Sequence, residues 1–112
     1  MKYLLIFLLS LNVFAGELDS WKQLLKEDKA VGLDIRTYPE TKLNSAKGAI
    51  HLSYFDFSEK NLNKLKIDKE KTVLVFCESG GRASKAIKEL NKAGYSKVIN
   101  IKDWRTWNKL KN

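Results

Sequence analysis

Residues Thr72-Val73-Leu74-Val75-Phe76 form an apolar run with no polar alternation and several β-branched side chains. A strand of that composition is buried on both faces, which happens in parallel sheets covered by helices. A sheet with one wet face would alternate instead. The run ends at Cys77 and is followed by Glu78-Ser79-Gly80-Gly81-Arg82. Beyond it, Ala83, Ala86, Ile87, Leu90 and Ala93 recur at helical spacing, and Gly94 is a natural helix stop.

The flanking segments repeat this order. Ser20-Trp21-Lys22-Gln23 fits a capping box with Ser20 as N-cap, predicting a helix over Trp21 to Asp28. Val31 to Ile35 reads as a short strand, weakened by Gly32. Arg36 to Glu40 reads as a loop, because Pro39 biases Tyr38 away from helix. Gly48 to Leu52 is a weak strand. Ser58 caps a second helix, with Phe57 and Leu62 as a hydrophobic staple. Lys97 to Ile101 is a further strand. Trp104 and Trp107, three apart, sit on a last short helix as core aromatics. Alternating strands and helices predict an α/β domain, a small, mainly parallel sheet flanked by helices. Sites in such sheets form beyond the carboxyl ends of the strands. Cys77 occupies such an end, as does Asp34 with Arg36 just after it.

The 112 residues, 44% of them apolar, suit one globular domain. Residues 1–15 stand apart. Lys2 gives a positive start, Tyr3 to Leu11 is almost wholly apolar, and Val13-Phe14-Ala15 offers small residues before a cut after Ala15. That is a signal-peptide pattern, too short for the about 20 residues of a membrane span. The expectation is an exported, periplasmic protein whose domain covers 16–112, with no stable membrane association after cleavage. The net charge is +8, but the lysines are scattered and no nucleic-acid motif accompanies them. The reading is a solvated surface with no nucleic-acid partner, whose field favours small anionic substrates. Oligomeric state is left open.

Cys77 is the sole cysteine, so it cannot close an internal disulfide. Three features favour its thiolate. Amides of the loop and first helical turn lack helical partners and can point at an anion. Gly80 and Gly81 let the backbone approach closely and curve into an anion nest. Arg82 adds a permanent forked cation. A thiolate so held is a nucleophile, and the nest would also hold a persulfide. Glu78 opposes this if it points inward, and is expected to face solvent. His51, the only histidine, sits outside the loop and reads as a surface or packing residue.

The segment from Val73 to Ala86 resembles the active-site segment of rhodanese-like sulfurtransferases. Leu33-Asp34-Ile35-Arg36-Thr37 resembles their Asp-Val-Arg segment, and Gly48-Ala49-Ile50 their Gly-Ala-Ile segment. Leu90 to Gly94 and Val98 to Trp107 resemble their ending. The resemblance implies that Cys77 takes a sulfane sulfur from a small anionic donor such as thiosulfate and yields it to cyanide or a thiol. It implies that amides from Glu78 through Ser79, Gly80 and Gly81 to Arg82 cradle the persulfide. Arg82 would help bind the donor, and Asp34 and Arg36 would brace the site. No metal or organic cofactor is implied. Asn44-Ser45-Ala46-Lys47 stands where the family often has Gly-His-Ile-Pro, and Asp103 replaces a Gly-Gly before the tryptophan.

Two other readings fit a cysteine–arginine loop. One is a cysteine phosphatase or arsenate reductase, whose loop places five residues between cysteine and arginine. Here there are four, a smaller nest suited to sulfur. The other is a non-catalytic rhodanese-like module that binds a partner or carries sulfur.

Overall fold

The computed structural model describes residues 16–112. The signal-peptide reading of residues 1–15 lies outside the described residues. Four strands, β1 (Ala30–Asp34), β2 (Ile50–His51), β3 (Thr72–Cys77) and β4 (Val98–Asp103), form one parallel sheet in the order β2-β1-β3-β4. The helices are α1 (described over 16–26), α2 (Tyr38–Leu43), α3 (Glu59–Lys64), α4 (Gly81–Lys92) and α5 (Trp104–Lys111), with a 3₁₀ turn at Tyr54–Asp56. The mainly parallel α/β architecture is the one predicted.

Every residue of β3 is buried, because each face meets its own apolar layer. Val73, Val75 and Cys77 point to one side, where Leu62 of α3 and Ala83, Ala86 and Leu90 of α4 pack. Leu74 and Phe76 point to the other, against Trp21, Trp107 and Leu110. Phe76 stacks on Trp107 with ring centroids 5.6 Å apart and planes at 13°. Trp107 in turn lies over Gly32, where an added Cβ would overlap the indole ring. The glycine that weakens β1 in the sequence is therefore what lets α5 close onto the sheet.

Two local expectations are corrected. Ser20 is not an N-cap, since residues 16–20 are already helical. Leu18 packs in the same cluster as Trp21 and Leu25, so the buried stripe begins upstream of the capping-box pattern. The loop expected over Arg36 to Glu40 turns into α2 at Tyr38. Pro39 stands in the first turn, where a missing amide costs nothing. The Glu40 carboxylate reaches back to the Thr37 amide at 2.9 Å, half of a capping box.

The chain runs from β1 outward to β2, then returns to β3 on the other side of β1. The strand order reverses between β1 and β3, and a crevice opens at their carboxyl ends. Asp34 pairs in register with Phe76 there, which sets Asp34, Arg36 and Cys77 along one edge.

Candidate active site

Cys77 ends β3 and is only 1% exposed. The chain then turns through Glu78 and Ser79 into α4, with Gly80 as N-cap at φ 98°. That left-handed backbone requires glycine, and a Cβ there would press on Lys102 Cγ at 3.2 Å. The turn brings the Gly80 amide to 3.0 Å from Cys77 Sγ, on which it donates. Gly81 is different. Its φ is not positive and open space stands where a Cβ would go, so the nest uses the freedom of one glycine.

Burial raises the thiol pKa. The amides of Ala83, Ser79, Gly80 and Arg82 oppose it and win, leaving Cys77 below its ordinary value. The Gly80 amide is the one hydrogen-bonded to Sγ, and Ala83, outside the expected Glu78-to-Arg82 set, is among the amides that lower the thiol. Sequence spacing misses Ala83 because it reads as a buried helical alanine, which it also is.

Glu78 does not simply face solvent. Its carboxylate accepts from Trp104 Nε1 and from Arg105 Nη2, both at 2.9 Å. Trp104 is therefore only part-buried packing. Its ring carries Arg105 at 4.5 Å and Arg36 at 5.7 Å from its centroid, and its indole N–H ties α5 to the cysteine loop. A tryptophan at core spacing gives no hint of this second use.

Arg82 is not free at the mouth. Its Nη1 and Nη2 donate to Glu40 Oε1 at 2.7 Å and Oε2 at 2.8 Å, a fork-to-fork pair. The Arg82 hydrogen bonds hold the Glu40 carboxyl down to about 2, against desolvation. The Cys77 charge and Glu40 both favour the charged form of Arg82. Glu40 is the residue that sequence reading missed, although Thr37-Tyr38-Pro39-Glu40 spells a capping box.

Asp34 and Arg36 do pair. Arg36 Nη2 donates to Asp34 Oδ2 at 2.8 Å and Nε to Oδ1 at 3.0 Å, with both side chains almost wholly buried. The Arg36 amide adds a bond to Oδ1, and Nη1 reaches the Glu40 carbonyl at 3.4 Å. His51 Nε2 donates to the Arg36 carbonyl at 2.7 Å. The pair is fixed between β1 and α2 and makes its bonds there.

A bulge fixes the other side. Phe76 pairs with Lys102 while Val75 pairs with Asn100, leaving Ile101 extra and Lys102 at φ 81°. Asn100 Oδ1 accepts from the Lys102 amide at 2.8 Å, and Nδ2 donates to the Gly80 carbonyl at 3.2 Å. Asn100 thereby anchors the glycine that aims at the sulfur. Among the described residues, no group of three or more His, Cys, Asp or Glu side chains is placed to hold a metal ion.

Comparison with known proteins agrees with this geometry. The rhodanese-like domain model matches residues 17–109. The tRNA uridine(34) hydroxylase of Bdellovibrio bacteriovorus is 33% identical over 84 residues, covering 72% of this chain and 24% of that protein. The putative sulfur carrier protein YrkF of Bacillus subtilis is 30% identical over 92 residues, covering 78% and 48%. The chain thus spans about a quarter to a half of the length of these curated relatives. Among solved structures, the Saccharomyces cerevisiae single domain sulfurtransferase RDL2 matches with a TM-score of 0.60 at 22% identity, covering 82% of this chain and 85% of that one. The human single domain sulfurtransferase TSTD1 matches with a TM-score of 0.60 at 19% identity, covering 81% and 91%. The structural likeness shows a shared fold, and the match over residues 17–109 carries the assignment: this chain belongs to the rhodanese-like domain family.

Proposed function

We propose that the chain is a sulfurtransferase working through a Cys77 persulfide. The observation that carries the reading is the cradle of amides around Sγ, with Gly80 at 3.0 Å. In the first half-reaction the thiolate attacks the sulfane sulfur of a donor such as thiosulfate. The S–S bond of the donor breaks, sulfite leaves with the electron pair, and a new Sγ–S bond forms. In the second, cyanide or a thiolate attacks the outer sulfur, and the electron pair returns to Sγ. The negative charge stays within reach of the same amides throughout, so the nest serves both thiolate and persulfide. Desolvation strengthens these dipoles, since Cys77 is buried.

Lys2, the apolar run Tyr3 to Leu11 and the small residue Ala15 support an exported, periplasmic setting for this chemistry. The curated relative named a putative sulfur carrier favours one second reading, in which the persulfide is carried to a partner protein rather than turned over on small acceptors.

The test is a two-substrate assay with thiosulfate and cyanide. The expected result is ping-pong formation of thiocyanate, with one added sulfur on Cys77 in the absence of cyanide. Cys77→Ser should abolish both. Thiocyanate formation that survives this substitution would sink the mechanism. A persulfide that forms but resists both cyanide and small thiols would favour the carrier.

A further inference from the structure

The Gly80 amide donates to Cys77 Sγ at 3.0 Å, and its direction depends on a backbone at φ 98°. Glycine visits positive and negative φ about equally, so the residue by itself does not hold that turn. Its neighbours must hold it. The Gly80 carbonyl accepts two hydrogen bonds, from the Ser84 amide at 2.9 Å and from Asn100 Nδ2 at 3.2 Å. The Ser84 bond opens α4 and moves with that helix. The Asn100 bond comes from β4, the strand paired with β3, and ties the loop to the sheet that carries the sulfur. Asn100 is held at its other end, where Oδ1 accepts from the Lys102 amide at 2.8 Å. That bond closes the bulge, at which Lys102 sits at φ 81°. Lys102 Cα and Cγ lie within 3.5 Å of where a Gly80 Cβ would stand, so the bulge also covers the open face of the glycine. A carboxamide has one accepting and one donating end, and here both are used. An aspartate would lack the donor, and a leucine would lack both.

We infer that Asn100 is a positioning residue for the chemistry of Cys77: acting from the β4 bulge, it keeps Gly80 in the left-handed turn that aims its amide at Sγ. The inference rests on the amide cradle behind the sulfur-transfer reading and assigns part of that cradle to the neighbouring strand. Asn100 acts through Gly80, since its own bonds go to Gly80 and Lys102. The reactivity of the cysteine is thus set by β4 as well as by the loop over 78–82.

The experiment is the pH dependence of iodoacetamide alkylation of Cys77 in the folded full chain and in Asn100→Leu, with Gly32→Ala as control. Leucine keeps the bulk of asparagine, adds no charge and offers neither donor nor acceptor. The charged groups at this end of the sheet are all retained: Arg82 with Glu40, Asp34 with Arg36, Glu78 in the loop, and Lys102 and Asp103 on β4. A change in midpoint then reports the aim of the Gly80 amide. Asn100→Leu should raise the midpoint by about half a pH unit to one unit, the net worth of one hydrogen bond. Gly32→Ala, destabilised on the opposite face of the sheet, should keep the wild-type midpoint. An unchanged midpoint in Asn100→Leu overturns the role of Asn100. An equal rise in both variants overturns it as well, because any destabilised chain would then do the same. Sulfur loading from thiosulfate and from 2-hydroxyethyl persulfide, read by intact mass, is followed in parallel. A wild-type chain that is alkylated but loads sulfur from neither donor overturns the sulfur-transfer reading and leaves the role of Asn100 standing. If circular dichroism shows Asn100→Leu unfolded, Asn100→Thr, neutral, suited to a strand and too short to reach the Gly80 carbonyl, is judged by the same midpoint.

Discussion

Phe76 and Cys77 are neighbours on one strand, yet they are held by different physics. Phe76 points into a layer defined by shape, where its ring stacks on Trp107 and Trp107 fills the space left by Gly32. Cys77 points toward α4, and its surroundings beyond the apolar layer are defined by charge and hydrogen bonds. The Glu40–Arg82, Asp34–Arg36 and Glu78–Arg105 pairs stand around that end of the sheet. A shape-defined region tolerates little change in volume but carries no directional chemistry. A region defined by paired charges holds groups at fixed angles, at the cost of desolvating them. The difference shows how one small sheet keeps a rigid core and a reactive sulfur one residue apart.

The two regions should break differently. Asp34→Ala leaves Arg36 buried without its carboxylate and should cost about 3–5 kcal/mol, the penalty of an uncompensated buried charge. Urea unfolding checks this, and a loss below about 1 kcal/mol, the value of an exposed pair, would show that Arg36 finds water instead. Gly32→Ala puts a methyl group into the Trp107 ring and should cost about 1–3 kcal/mol by overpacking. That variant should leave the titration of Cys77 where it was, since the change lies on the opposite face of the sheet. A Gly32→Ala protein with a shifted cysteine titration would mean that the two regions are coupled through β3.

The shape-defined region was largely legible in the sequence. The unbroken apolar run of β3 and the helical spacing of Ala83, Ala86 and Leu90 state their own burial. Parallel pairing followed from strands buried on both faces. The charge-defined region was half legible. Cys77 and the positive φ of Gly80 follow from a strand-to-helix turn, but the partners of the charges do not. Glu40 lies 42 residues from Arg82 in the chain and Trp104 lies 26 from Glu78, so no local pattern links them. Asn100 gained its role from a bulge in β4 that no turn residue announces. Pro39 reads as a helix breaker by itself, but a first-turn proline with Thr37 and Glu40 beside it marks a helix start.

Backbone amides, rather than a side-chain base, favour the Cys77 thiolate. The most direct test is the pH dependence of Cys77 alkylation in the folded chain, because only the thiolate reacts. Burial raises the thiol and the four amides lower it further, so the sign is downward. The reactive form should persist below the about 8.5 of a free cysteine and be lost only as the pH falls through that lower midpoint. A midpoint at or above about 8.5 would mean that burial wins over the amides, and would contradict the account.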